Sequence, residues 1–303
     1  MLHDFLDKAY SSFKKRNKFH SFFRVVIRTF SDIVLPVYFR LFPSKSAIKE
    51  ATSGPQIIVT LTSFPGRISR LWLVIECLLR QKRLPNKIIL WLSFDQFPNG
   101  LSDLPYSLKK FYDRKLLTVE FVPNDIRSHK KYFYAFKRFP NDIIITVDDD
   151  IYYSSNIIED LLALHEAYPE AICCLRGYRV TKEGRKIQSY KKWEKLYREY
   201  GPATNIFHTS GGGTLYKRDF FNQEVLNLEV FSKYCFHADD VWLNFMAQLN
   251  GTEIVKGSFY SHLIPISSRS SKLSTRNVVL GGNDTQLNNL INYYNITDDD
   301  IFR

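Results

Sequence analysis

Phe19, Phe22, Phe23, Val26, Ile27, Phe30, Ile33 and Val34 follow one another at short, mostly three- and four-residue steps. That spacing predicts a helix with an apolar stripe, and places Arg24 and Arg28 on its other side. The longest uncharged stretch there, 33–39, is far short of the roughly 20 residues a spanning helix needs. From Ser44 to Pro55 the pattern gives way to Ser, Pro and Gly, as in a linker.

Beyond the linker the apolar residues come in short continuous runs. Gln56–Leu61, Lys87–Leu92, Leu117–Val122 and Asp142–Val147 read as strands. Ile68–Arg80, Lys130–Arg138 and Asn156–Tyr168 carry helical spacing between and after them. Strands that are apolar along their whole length are buried on both faces, and alternation with helices predicts a mostly parallel sheet. Further on, Ala171–Leu175 and Gly213–Tyr216 read as strands and Val241–Gln248 as a helix. The expected architecture is therefore α/β and Rossmann-like, with helices flanking the sheet. The expected division is a basic amphipathic segment, 1–52, and an α/β domain, 53–303.

Charge sharpens the picture of the first segment. The chain has a net charge of +11. Residues 1–50 hold ten Lys or Arg against four acids, so +6 of that excess sits on a sixth of the chain. A Phe-rich helix beside Lys14, Lys15, Arg16 and Lys18 suits an anionic membrane surface. The competing expectation is a helix packed on its own domain. No signal peptide is visible, which suggests a cytoplasmic chain peripheral on the inner face of the membrane. Cys77, Cys173, Cys174 and Cys235 include no C-x-x-C pair and read as reduced core residues.

The chemistry concentrates where apolar runs stop. Ile143–Val147 ends abruptly in Asp148, Asp149 and Asp150. Ligands of open α/β sheets bind beyond the carboxyl ends of strands. Three like charges there repel, and a bound Mg²⁺ or Mn²⁺ would offset the repulsion. A solvated acidic turn is the plainer alternative. Asp239 and Asp240 open the predicted second-half helix, either as N-terminal dipole partners or as a base facing a hydroxyl. Gly211, Gly212 and Gly213 precede a strand and allow close backbone approach to a ligand. Lys131 lies in a basic stretch, 128–131, that could meet phosphates. His262 could be a metal ligand, and Arg269 and Arg276 could close over a diphosphate.

Together these segments resemble the GT-A glycosyltransferases from about Gln56 to His262. Val147–Ile151 and Asp239–Phe245 are also similar to exostosin-like and bacterial polysaccharide-assembly transferases. The resemblance implies a nucleotide-diphosphate sugar donor, of UDP type, and a saccharide or lipid-linked saccharide acceptor in cell-surface polysaccharide synthesis. It implies that Asp148 approaches the ribose and the metal, and that Asp150 and His262 ligate Mn²⁺ or Mg²⁺. Asp240 would be the catalytic carboxylate, with Asp239 beside it. Thr60, Thr62, Arg67, Lys131, Asp149, Gly211 and Gly212 would complete the donor site. The Asp-Asp pair of many inverting members after the second strand is here only Ser93-Phe94-Asp95.

Two other readings compete. A sugar-phosphate nucleotidyltransferase would show a Gly-rich, Arg-containing loop after its first strand, whereas Thr62–Arg67 has one glycine. A non-catalytic nucleic-acid or membrane-binding protein would need its basic residues on the folded domain. Because much of the excess charge lies in the first helix, nucleic acid is not expected as a partner.

Overall fold

The computed structural model describes residues 2–13, 17–49, 51–258, 263–267 and 281–303. The helices are α1 (Leu2–Ser12), α2 (Lys18–Leu41), α3 (Trp72–Leu78), α4 (Tyr106–Asp113), α5 (Lys130–Arg138), α6 (Ile157–Ala167), α7 (Leu228–Tyr234), α8 (Asp239–Asn250) and α9 (Gly282–Tyr293). The first strands are β1 (Ile57–Thr62), β2 (Lys87–Ser93), β3 (Thr118–Val122), β4 (Ile143–Thr146), β5 (Ile151–Tyr152) and β6 (Ile172–Cys174). Then come β7 (Gly177–Arg179), β8 (Lys182–Glu183), β9 (Lys186–Ile187), β10 (Glu194–Lys195), β11 (Tyr200–Ala203) and β12 (Ile206–His208). The last are β13 (Thr214–Tyr216), β14 (Ile254–Lys256) and β15 (Ile264–Pro265).

An eight-stranded sheet of order β11-β14-β6-β13-β4-β1-β2-β3 forms the centre. The pairings β1–β2, β1–β4, β2–β3 and β6–β14 are parallel. Those of β13 with β4 and β6, and of β11 with β14, are antiparallel. This is the α/β layout expected from the apolar runs, with a reversed strand set into its middle. Alternate residues of the runs feed two cores. Val59, Leu61, Leu90 and Ile145 pack into one, Ile58, Ile89 and Ile144 into the other. Both faces are covered, so no polar alternation is needed. All four cysteines are buried and unpaired.

Register decides what meets at the carboxyl edge. Ile57 lies opposite Ile143 and Thr60 opposite Thr146. The segments that leave β1 and β4 therefore emerge side by side, 62–67 next to 147–150. Because β13 is antiparallel to β4, with Thr214 opposite Thr146, its start reaches the same edge. The turn 210–213 is thus brought beside Asp148. Helices α5 and α8 each run back to the start of a following strand, β4 and β14. Their N-termini, carrying Lys131 and Asp239–Asp240, accordingly begin at this edge as well.

The N-terminal helices pack on this frame. Leu6, Tyr10, Leu35 and Phe39 join the core on one face of the sheet. The α2 residues facing outward form a stripe: Phe19, Phe22, Val26, Phe30, Ile33, Val37 and Leu41, each 46–68% exposed. Arg24 turns inward instead, donating to Phe13 O. Among the described residues no helix is long and apolar enough to cross a membrane. The helix expected over 68–80 begins only at Trp72, because Ile68–Arg70 is wound as a tighter 3₁₀ turn.

Candidate active site

Five carboxylates and two buried or half-buried cations share the carboxyl edge. Lys131 is the hub. Its ammonium donates to Asp148 Oδ1 at 2.9 Å and to Ser210 Oγ at 2.9 Å, and lies 3.0 Å from Asp239 Oδ2. Burial alone would strip its proton, but Asp148, Asp239 and Asp240 outweigh that and hold it well above the usual lysine range. The first acidic cluster, at the end of a strand, and the second, at the start of a helix, thus meet on one side chain.

The three consecutive aspartates point in different directions. Asp149 turns inward and is buried, accepting from Ser63 Oγ at 2.6 Å and from Arg67 at 2.8 Å. Asp148 is 38% and Asp150 26% exposed at the side chain, so both keep contact with solvent. Arg67 also lies 3.0 Å from Asp150 Oδ2. Burial first, and then the charge of Asp148, push the Asp150 carboxyl up to about 7. The backbone is fixed from below, where Tyr153 OH accepts from the Asp148 amide at 2.8 Å and donates to Gly211 O at 2.6 Å.

At the head of α8 the two aspartates differ. Asp239 is buried against Lys131. Burial pushes its carboxyl up, but Lys131 prevails and holds it at about 2. Asp240 is half-buried and accepts from the Ser210 amide at 2.8 Å. Burial, followed by the charge of Asp239, pushes its carboxyl up to about 7. A carboxyl poised there suits proton transfer at neutral pH.

Other expected site residues are placed as follows. Gly211 sits directly beneath Asp148, and a Cβ there would lie 2.0 Å from Asp148 Oδ2. Gly212 is likewise pressed on Arg176, where a Cβ would lie 2.4 Å from that residue's own Cβ. These glycines admit close packing of the protein's own carboxylate and guanidinium chains. Thr60, expected at the donor, is instead fully buried. Its hydroxyl donates to Lys131 O and accepts from Trp91 Nε1, tying β1 to α5 and β2. Its inward position follows from the alternation of side chains along β1. Thr62 donates to Trp91 O at 2.7 Å. His262, Arg269 and Arg276 lie outside the described residues, as do Lys14, Lys15 and Arg16.

Four contributors were not read from the sequence. Ser63 and Ser210 flank motifs already noted, and only their neighbours marked them. Arg176 follows the Ile172–Cys174 strand, so a search of every strand end would have found it. It is close enough to Asp240 to feel that charge and contacts Tyr178 OH at 3.3 Å. Nothing in the sequence signals Tyr153.

The donor set fits a divalent cation. Asp148 and Asp150 are partly exposed carboxylates two residues apart, and burial together with the charge of Asp148 raises the Asp150 carboxyl. Among the described residues no three ligand-type side chains converge. Mg²⁺ sites often need only one or two carboxylates beside substrate phosphates.

Residues 105–224 match the family model for glycosyl transferase family 2. The matched stretch holds Lys131, the three aspartates, Ser210 and the glycine turn; Asp239 and Asp240 lie beyond it. No curated protein matches the chain. Similar solved structures include S. aureus TarS 1–349 in complex with UDP-GlcNAc, at 15% identity and TM-score 0.44. The likeness covers 73% of this chain and 61% of that one, so the chain spans about six tenths of the TarS fragment. Mannosyltransferase PcManGT from Pyrobaculum calidifontis, in complex with GDP-Man and Mn²⁺, has 13% identity over 77% of this chain and 65% of its own, at TM-score 0.42. 4-Diphosphocytidyl-2C-methyl-D-erythritol synthase from Anaerococcus prevotii has 12% identity over 77% of this chain and 100% of its own, at TM-score 0.43. Likenesses at these scores carry nothing about chemistry.

Proposed function

We propose that this glycosyltransferase moves a sugar from a nucleotide-diphosphate sugar, of UDP type, to a hydroxyl of a saccharide or lipid-linked saccharide in cell-surface polysaccharide synthesis. The observation that carries the reading is the meeting of both acidic clusters on Lys131, 2.9 Å from Asp148 and 3.0 Å from Asp239. One cluster faces the donor diphosphate and the other the acceptor.

Asp148 and Asp150 would hold Mn²⁺ or Mg²⁺. Bound there, a divalent cation supplies positive charge against the diphosphate that leaves. Arg67 and Ser63 keep Asp149 turned away, which fixes the chain so that its two neighbours face outward. Lys131 holds Asp148 and Asp239 at a set separation. Asp240, outside that pairing, keeps an oxygen for the acceptor hydroxyl and takes its proton as the new bond forms. The low-lying, Lys-paired Asp239 is poorly suited to that task and acts as a brace.

The metal assignment predicts that Asp150→Asn weakens Mn²⁺ binding at least about tenfold, on the scale of first- and outer-sphere ligand losses. Titration of free Mn²⁺ by paramagnetic resonance reads this without any turnover. Unaltered affinity in the variant would remove Asp150 from the ligand set.

The outer stripe of α2 supports peripheral seating on an anionic membrane surface. Seven apolar side chains point away from the protein, in a segment whose net charge is positive. The double change Phe22→Gln, Ile33→Gln removes two of the seven and leaves the buried face intact. It should lower the partition constant for phosphatidylglycerol vesicles, read by sedimentation, about 100-fold or more, since each buried apolar side chain is worth about 1.5–3 kcal/mol. Equal sedimentation would assign the stripe another role.

A further inference from the structure

Asp32 lies on the inner face of α2, beside the exposed Ile33. Three groups from three separate segments converge on its carboxylate. Arg70 approaches Oδ1 at 3.0 Å, Tyr152 OH donates to Oδ1 at 3.3 Å, and the Ser267 amide lies 3.2 Å and 3.3 Å from its two oxygens. The backbone of Asp32 takes part too. Pro36 has no amide proton to give the carbonyl four residues earlier, which is that of Asp32. Arg70 reaches this freed oxygen at 3.5 Å. It also donates to Ser267 O at 2.9 Å, so the three residues form a closed knot.

Each partner of Asp32 leads to Asp150 by a short, rigid path. Tyr152 is in β5, two residues after Asp150. β5 pairs with β15, Ile264 opposite Tyr152 and Pro265 opposite Ile151. The next residue, Ile266, donates its amide to Asp150 O at 2.7 Å, and Ser267 follows it directly. On the other path, Arg70 ends the 3₁₀ turn at whose start stands Arg67, which lies 3.0 Å from Asp150. The acidic strand end is therefore gripped from both flanks, and both grips close on one carboxylate of the N-terminal helix.

We propose that Asp32 is a positioning residue for Asp150: it locks the paired strands β5 and β15 and the 67–70 turn together, and so makes α2 part of the catalytic unit. The consequence rests on the glycosyltransferase reading only for what Asp150 does, not for the knot itself. A helix with its outer face on a bilayer and Asp32 on its inner face transmits its seating to the donor side of the site.

The test uses the full chain with Asp32→Ala, Asp32→Asn and Arg70→Gln. Leu35 and Phe39 continue to anchor α2, so the helix stays docked. Hydrogen exchange at the amides of 151, 152, 264, 266 and 267 should quicken about tenfold in Asp32→Ala and Arg70→Gln. Their Mn²⁺ affinity should fall about 10–100-fold, the usual effect of losing an outer-shell partner. At saturating Mn²⁺ donor KM should move less than about twofold, and sedimentation with phosphatidylglycerol vesicles should not change. Asp32→Asn keeps an acceptor for Tyr152 and Ser267 and should recover part of both losses. Unchanged exchange in both Asp32→Ala and Arg70→Gln would overturn the proposal. So would faster exchange with unchanged Mn²⁺ affinity, because the knot would then be structural only. If the unsubstituted chain turns over no sugar nucleotide, the functional reading fails while hydrogen exchange still decides the knot.

Discussion

Asp240→Asn should lower kcat by about 10²–10⁴-fold, the usual contribution of a positioned general base, while nucleoside diphosphate binding stays within a few-fold. The substitution is close to isosteric, and the amide oxygen can still accept from the Ser210 amide, now 2.8 Å from Asp240 Oδ1. It also removes a carboxyl whose charge is opposed by burial and by Asp239. The folded state therefore loses nothing it needs, and melting should occur at the same temperature or higher. The sign of the pH effect agrees. A carboxyl raised to about 7 binds its proton more tightly folded than unfolded, so between roughly pH 4 and 7 its ionisation costs stability as pH rises. Over the same range the active, deprotonated form of the base accumulates, and the wild-type kcat/KM should climb through about pH 7. Turnover of the variant near the wild-type level would reduce Asp240 to a helix-end residue.

Lys131→Met should destabilise the fold by about 3–5 kcal/mol, the scale for removing one partner of a buried ion pair. Lys131 is 3% exposed and is shared by Asp148 and Asp239. Methionine matches its length but leaves Asp239 buried without its cation. The loss should be nearly constant across neutral pH. Lysine's folded pKa is raised, so its contribution is complete below about 10.4 and disappears only as pH rises beyond that. That of Asp239 is lowered to about 2, so its contribution is complete above about 4 and is lost as pH falls toward 2. Urea unfolding at pH 6 and pH 9 measures both ends of this plateau. A loss under about 1 kcal/mol would mean that solvent or another side chain replaces the ammonium.

The sequence made the sheet legible where apolar runs were unbroken. Ile143–Val147 could only be a buried strand, and the carboxylates at its end marked the working edge. Lys130–Arg138 was legible from its spacing and stands within those bounds. The strand at Gly213–Tyr216 was legible but its direction was not, because so short a run carries none, and the reversal of β13 is what brings Gly211 beneath Asp148. Side-chain direction was the other gap. Asp148, Asp149 and Asp150 are identical in sequence, yet Ser63 and Arg67 turn the middle one inward. Thr60, expected in the donor site, lies in its strand with its hydroxyl buried against Lys131 and Trp91. The stripe of α2 was visible from its periodicity. Which side of that helix meets the protein depended on Asp32, Leu35 and Phe39, whose partners lie far along the chain.

A glycosyltransferase and a nucleotidyltransferase break different bonds at the carboxyl edge. The full chain should be incubated with a panel of nucleotide-diphosphate sugars and Mn²⁺, with the products resolved by ion-exchange chromatography. Alongside it, nucleoside triphosphates should be offered with sugar 1-phosphates. The predicted result is release of nucleoside diphosphate from one of the sugar nucleotides, abolished by chelator and by Asp240→Asn, with no pyrophosphate from the triphosphates. Pyrophosphate release with no nucleoside diphosphate formed would contradict the account and identify a nucleotidyltransferase.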